Sequence, residues 1–229
     1  MTTGTTASGT FYLFNKKEQL SPIVFIHGVG LTHEIWQPQL DFFKNYSTLS
    51  YDILGHGKSK LGKEQIDFND FSDQLMNLLV ELKIDKIHLV GFSIGSLIAR
   101  NFSIRFNNRL MSLILLGSIY KRTSQQQQIV NERFNQAKKN LKLSKQALKR
   151  WFTDKYLENN PDIYNKISLI LSSNNIENFL KAYELFVKHQ NDENFEKIKI
   201  NTLLMTGEYD YGSTIEMSQE LSEVSKIVN

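Results

Sequence analysis

The sequence of 229 residues contains no cysteine. That absence excludes disulfide bridges, thiolate nucleophiles and cysteine-ligated zinc, and it is compatible with a reducing cytosol. Long apolar runs are also missing. Residues 23–26 and 113–116 are apolar, but a bilayer-spanning helix needs about 20 such residues. The Thr-, Gly- and Ser-rich start has neither a basic n-region nor an apolar stretch, so it does not read as a signal peptide. Residues 1–9 are expected to form a flexible tail, and the chain is expected to be cytoplasmic with no membrane partner. Neither charge sign dominates: 27 Lys and Arg face 24 Asp and Glu, a formal net charge of +3. So small an excess gives no reason to expect nucleic acid as a partner.

What is present is enough for a core. Hydrophobic residues make up 41% of the chain, with 15 Phe and 9 Tyr, which is the composition of an ordinary folded protein. The length fits one domain, or one domain with an insertion. Lys138, Lys139, Lys142, Lys145, Lys149 and Arg150 form the densest basic run, beside Leu141, Leu143 and Leu148. It reads first as a solvated helix face, with attraction of acidic substrates as the weaker alternative.

From Phe11 onward, short β-like runs alternate with amphipathic segments, the pattern of a mostly parallel α/β sheet covered by helices on both faces. Strands are expected at 23–26, 47–51, 86–90, 110–116 and 202–205, with 11–14 as an antiparallel strand ahead of them. Asp67 or Asp70 can cap a helix through Phe71, Leu75, Leu78, Leu79 and Leu82. Residues 120–196 are helical only: Ser144 can cap one helix, and Asn160 before Pro161 can start another. The domain reading is a core of residues 10–119 and 197–229, with 120–196 inserted as a helical cap. Leu148, Trp151, Phe152, Phe179, Tyr183 and Phe186 are candidates for the cap's buried faces, one or two of the aromatics being expected to reach a ligand.

Gly91-Phe92-Ser93-Ile94-Gly95 follows an apolar strand and opens an apolar-periodic helix. In that context Ser93 is expected at a tight strand-to-helix turn with its hydroxyl above the sheet, flanked by Gly91 and Gly95 because side chains there would crowd the turn. The helix that follows directs backbone N–H groups, Ile94 first, toward a developing negative charge. His27-Gly28-Val29-Gly30 follows another strand, and such a glycine-rich loop can bring a second N–H to the same point. Asp210 follows Gly207-Glu208 beyond the strand at 202–205, on the same rim of the sheet as Ser93, where open α/β folds place their ligands.

With Trp36, with Tyr51-Asp52-Ile53-Leu54-Gly55-His56-Gly57-Lys58-Ser59 and with Thr206-Gly207-Glu208-Tyr209-Asp210, these stretches make the chain resemble the α/β-hydrolase superfamily, especially its 3-oxoadipate enol-lactonase-like and small esterase members. The resemblance runs from Phe11 onward. It implies an eight-stranded sheet and a serine hydrolase acting on a small carboxylic ester or lactone through an acyl-enzyme. Ser93 would be the nucleophile and Asp210 the acid, with the N–H groups of Val29 and Ile94 as the oxyanion hole and His27, Gly28 and Gly30 supporting the loop. No metal and no organic cofactor is implied, and His56 belongs to a structural turn.

The resemblance also places a catalytic His in a loop after an eighth strand, of which Lys226-Ile227-Val228 reads as the first part. Asn229 comes before such a loop, so the expectation is that this His lies beyond residue 229, with His33 or His189 as substitutes. His88 sits at the wrong end of its strand. An esterase-shaped binding protein without catalysis is the alternative reading.

Overall fold

The computed structural model describes residues 1–18, 20–139, 144–189 and 195–225. Its strands are β1 (Thr2–Thr5), β2 (Phe11–Asn15), β3 (Ile23–Ile26), β4 (Thr48–Tyr51), β5 (Ile87–Phe92), β6 (Leu110–Leu116) and β7 (Thr202–Met205). They form one sheet in the order β1-β2-β4-β3-β5-β6-β7. β1 and β2, and β2 and β4, pair antiparallel; every other pairing is parallel.

Residues 1–9 are not simply a tail. Thr2 to Thr5 register against Phe14 to Phe11, so β2 supplies hydrogen-bond partners that the local composition does not advertise. Seven strands are found among the described residues, where the resemblance implies eight. Residues 226–228, read as part of another strand, lie outside the described residues.

Helices cover both faces of the sheet. On one face α2 (Phe68–Glu81) and α3 (Ile94–Arg105) meet alternate strand residues, Val24 and Ile26 of β3 and Leu89 of β5. Phe71, Leu75, Leu78 and Leu79 of α2 are fully buried, and each contributes roughly 1.5–3 kcal/mol relative to exposure. The start of α2 is fixed by a capping box: Asp67 accepts from Asp70 N–H while the Asp70 side chain accepts from Asp67 N–H. The intervening strand residues, Phe25 and Val90, face the other way and pack with Trp36 and with Leu40 of α1 (Gln37–Phe42).

Between β6 and β7 lie α4 (Ser124–Lys139), α5 (Ser144–Trp151), α6 (Asp154–Asn159), α7 (Pro161–Ser172) and α8 (Ile176–Lys188). They form the helical cap. Val130 and Phe134 of α4 pack with Val187 of α8, and Leu148 of α5 packs with Ile167 and Ile170 of α7 and with Leu31 of the core. The last helix, α9 (Ile215–Ser225), buries Met217 and Leu221 in the main core. No helix of the described residues is long and apolar enough to cross a membrane.

Candidate active site

Strand β5 ends at Phe92 and helix α3 begins at Ile94, so a single residue, Ser93, makes the turn. Its φ of 56° and ψ of −120° are those of a turn position that glycine normally fills. Backbone bonds hold it there: Ser93 N–H donates to Leu116 O (2.9 Å), and Ser93 O accepts from Ser96 N–H (2.9 Å) and from the Ser96 hydroxyl (2.6 Å). None of these uses the Ser93 hydroxyl, which also makes no capping bond to α3.

The flanking glycines are required by contact with backbone. A Cβ on Gly91 would lie 2.2 Å from Gly95 O, and one on Gly95 would lie 2.5 Å from Ile26 O and 2.7 Å from His27 O. The second pair of contacts shows how closely α3 sits against the loop after β3.

That loop is pinned by His27. Its Nδ1–H donates to Gly28 O (2.8 Å), and its Nε2 accepts from Ile53 N–H (3.0 Å). The ring is fully buried, and burial, followed by the charge of neighbouring His56, pushes its pKa down to about 3. His27 is therefore a neutral strut that uses both nitrogens to hold the loop. Among the described residues Val29 N–H donates to nothing. Ile94 N–H, at the first position of α3, has no intrahelical acceptor. Gly30 has φ +77° and lies under the cap, where a Cβ would come 3.1 Å from Phe179 and 3.2 Å from Leu171. Asn174 Nδ2 donates to Gly30 O at 2.7 Å and ties cap to loop.

Asp210 follows β7 in a tight turn. Gly212 N–H (2.8 Å) and Ser213 N–H (3.0 Å) donate to its Oδ1, and the Ser213 hydroxyl donates to its Oδ2 at 2.7 Å. Gly117, directly after β6, leaves room beside it: a Cβ there would lie 3.1 Å from Ser213 Oγ and 3.7 Å from Asp210 Oδ2.

Ser93, Val29 and Asp210 line one cavity of about 260 Å³ between the strand ends and the cap. Ile94 is buried just behind Ser93. The roof is made by Phe179, Tyr183 and Phe186 of α8, Trp151 of α5 and three arginines, Arg122, Arg133 and Arg150. Four of the aromatics assigned to the cap's buried faces thus border the cavity, but Trp151 is 42% exposed rather than buried and the other three are half-buried. Phe152 instead stacks on Tyr156. Arg150, read as part of a solvated basic face, is exposed and also lines the cavity. Neither Arg122 nor Arg133 stands out in the sequence; both lie on or beside α4, whose polar face turns out to border a cavity. The signal for Gly117 was present, since a glycine ending an apolar strand beside the elbow strand marks a close approach.

Among the described residues no histidine lines this cavity. His33 Nδ1 is 2.7 Å from Asp52 Oδ1, and Asp52 also accepts from the His33 and Lys58 N–H groups. Burial raises the Asp52 pKa, but the His33 hydrogen bond and nearby imidazoles outweigh it and lower it. His56 is buried beside His27, and burial pushes its pKa down to about 4. His88 meets Ser112 Oγ across β5 and β6 at 2.8 Å, and His189 ends α8 with its ring edge-on to Phe68. Neither substitute histidine is therefore brought to Ser93. Among the described residues no group of three His, Asp or Glu side chains is placed to hold a metal ion.

A family model described as alpha/beta hydrolase fold matches residues 21–223. The (E)-2-((N-methylformamido)methylene)succinate hydrolase of Acinetobacter baylyi is 30% identical over 210 residues, covering 90% of this chain and 78% of the relative. The 3-oxoadipate enol-lactonase 1 of the same organism is 28% identical, covering 88% of this chain and 76% of the relative. Among solved structures, the enol-lactonase from Burkholderia xenovorans superposes with a TM-score of 0.86 at 22% identity, over 94% of this chain and 84% of that one. An esterase from Exiguobacterium antarcticum gives 0.85 at 18% identity, over 98% and 87%. At such identities the solved structures speak for the fold, and the family model with the first relative speaks for descent: the chain belongs to the α/β-hydrolase family and is related to its enol-lactonase and small-esterase members.

Proposed function

We propose that this protein hydrolyses a small carboxylic ester or lactone through an acyl-enzyme formed on Ser93. One observation carries the reading: Ser93 is held in a strained turn with its hydroxyl uncommitted, in the same cavity as the carboxylate of Asp210. Strain of this kind persists only where surrounding structure enforces it, and it gathers at functional sites. The names of the relatives, a succinate-derivative hydrolase and an enol-lactonase, support the substrate type.

Ser93 Oγ attacks the carbonyl carbon while an imidazole base removes the hydroxyl proton. The C–O π electrons move onto oxygen, and the N–H groups of Val29 and Ile94 stabilise that charge. Collapse of the intermediate expels the alcohol, which takes the proton from the imidazole. Water then repeats the sequence on the acyl-enzyme and releases the acid. Asp210 orients the imidazole and stabilises its cationic form. Its three hydrogen bonds keep the carboxylate fixed for that task. The imidazole is none of the described histidines in the positions they occupy.

A serine-directed phosphonate should label Ser93, as read by mass spectrometry of the digested protein, and Ser93→Ala should abolish both labelling and turnover of an activated ester. An adduct on another residue, or undiminished turnover in Ser93→Ala, would overturn the assignment.

A further inference from the structure

Strands β3 to β7 run parallel, so all of them finish at the rim that carries Ser93 and all start at the opposite end of the sheet. β2, antiparallel to β4, finishes at that opposite end as well. Five segments meet there: residues 16–22, 43–47, 82–86, 106–109 and 195–201, residue 19 lying outside the described ones. The first two hold Lys16, Lys17 and Lys44 against Glu18; the others hold Lys83, Lys86, Arg109, Lys197 and Lys199 against Asp85 and Glu196. Eight cations against three anions is an excess of five, and Asp41 beside this end reduces it only to four. The whole chain has an excess of three. This end is therefore more positive than the entire molecule, and the remainder is net negative. Its seven lysines are all exposed. Arg109 pairs with Asp85 at 2.9 Å, but among the described residues no carboxylate pairs with any of these lysines.

Apolar side chains project from the same end. Phe42, the last residue of α1, is 80% exposed, Tyr46 54% and Leu20 47%. Phe43 holds the first two: it packs against Phe25, Trp36 and Leu40, and its ring meets Phe42 edge-on at 4.9 Å and Tyr46 at 5.8 Å. Backbone ties bring the lysines and Leu20 alongside. Asn15 Nδ2 donates to Lys44 O (3.1 Å) and Tyr46 O (3.0 Å), Lys17 N–H donates to Ser47 Oγ (2.8 Å), and Ile23 N–H donates to Ser47 O (2.9 Å). Single exposed apolar residues are ordinary, but three gathered on one end among lysines mark a contact surface.

We infer that this end of the molecule docks on an anionic lipid surface. Aromatic and aliphatic side chains settle at the boundary between headgroups and acyl chains, and each lysine close to an anionic leaflet strengthens attachment about fivefold. A soluble polyanion would engage the lysines and leave Phe42 without a role. Docking of this kind needs no spanning helix, and none is present among the described residues. The expectation of no membrane partner rests on the lack of long apolar runs, which a surface assembled from separate loops does not require. The six residues of β5 keep Ser93 about 20 Å from the lipid, so the cavity stays in water.

The test is sedimentation of the 229-residue protein with vesicles of phosphatidylcholine alone or with about 30% phosphatidylserine. The anionic vesicles should bind at least about tenfold more tightly, and raising salt from about 0.1 to about 0.5 M should remove most of the difference. Lys16→Gln, Lys17→Gln and Lys44→Gln together should weaken binding about 100-fold, and Phe42→Ser alone several-fold. These side chains are exposed, so circular dichroism melting curves should match that of the parent. Lys139→Gln, Lys149→Gln and Lys155→Gln together, three exposed lysines of the cap, should leave binding unaltered. So should Ser93→Ala, because the surface is separate from the cavity. No binding, equal binding to both vesicles, equal loss in the two triple variants, or loss in Ser93→Ala would each overturn the inference. Vesicle binding indifferent to Phe42→Ser, with equally tight retention on heparin, would assign the lysines to a soluble polyanion and overturn it too.

Discussion

Replacing Ser93 by glycine should make the protein more stable than replacing it by alanine, although both changes remove the hydroxyl. At φ 56° and ψ −120° Ser93 occupies the first central position of a type II′ turn, which a Cβ makes costly. Strain at such a position is of order 1–3 kcal/mol. Alanine keeps the Cβ and therefore the strain. Glycine removes it but gives up about 0.5–1 kcal/mol through the greater freedom of its unfolded chain. The hydrogen bonds that hold the turn all run through backbone atoms of residue 93, so both variants retain them. The difference is a net gain for glycine of about 1 kcal/mol, equivalent to roughly 2–4 °C in melting temperature for a chain of this length. Urea midpoints for Ser93→Gly and Ser93→Ala, with equal m-values, measure it directly. If glycine is no more stable than alanine, the elbow is not strained, and the main observation behind the functional assignment loses its force.

Gly91→Ala and Gly95→Ala should each cost about 3 kcal/mol or more, because the new Cβ meets backbone oxygens at 2.2 and 2.5 Å. Gly207→Ala, whose nearest neighbour would be 3.9 Å away, should change the urea midpoint by under about 0.5 kcal/mol; similar losses at all three positions would contradict the packing. Asp210→Asn should lower the turnover of an activated ester by about 10³- to 10⁴-fold, since an amide holds the base in the wrong tautomer. Unchanged steady-state rates would remove Asp210 from the mechanism. His27 and His56 have folded-state pKa values near 3 and 4, below the ordinary 6.5. Below 6.5 the unfolded chain therefore binds more protons than the folded one, and the stability held above that value is lost as pH falls toward the folded values. Urea midpoints should show a loss of roughly 2 kcal/mol per histidine between pH 7 and pH 5; midpoints that agree at the two pH values would show that the rings are not held neutral.

The central strands are legible because most of their residues are apolar and, in β3 and β5, most are buried, so such runs need no partner to be identified. The elbow was legible for a different reason. Gly91 and Gly95 sit where only backbone fits, and such a demand leaves its mark at fixed spacing. Strand β1 left no comparable mark, because Thr2–Thr5 owes its conformation to pairing with β2 rather than to its own residues. The union of His33 with Asp52, nineteen residues apart, is equally invisible to local pattern. Helical period located the cap's apolar stripes, but it says nothing about what the other stripe faces. Arg150 therefore reads as a solvated cation, which its exposure agrees with, and Arg133 carries no signal of its own, although both line the cavity.

That contrast has a consequence for how the site can change. The elbow meets the loop after β3 through backbone contacts at Gly95, and the two hydrogen bonds of His27 tie that loop to Gly28 O and to Ile53 N–H after β4, so a substitution there disturbs the turn as a whole. The cap meets this assembly through side chains, among them Asn174 on Gly30 O, Lys166 on Glu34 O and the packing of Leu31. Arg133 and Arg150 support none of these ties. Replacing either removes charge from the cavity without removing a hydrogen bond from the fold, and surface substitutions of that kind usually shift stability by no more than about 0.5 kcal/mol. The cavity lining can therefore vary on α4 and α5 while Ser93, Asp210 and their backbone supports stay fixed. The physical reason is that the reactive turn is determined by atoms every residue has, whereas the roof is determined by side chains that the fold does not need.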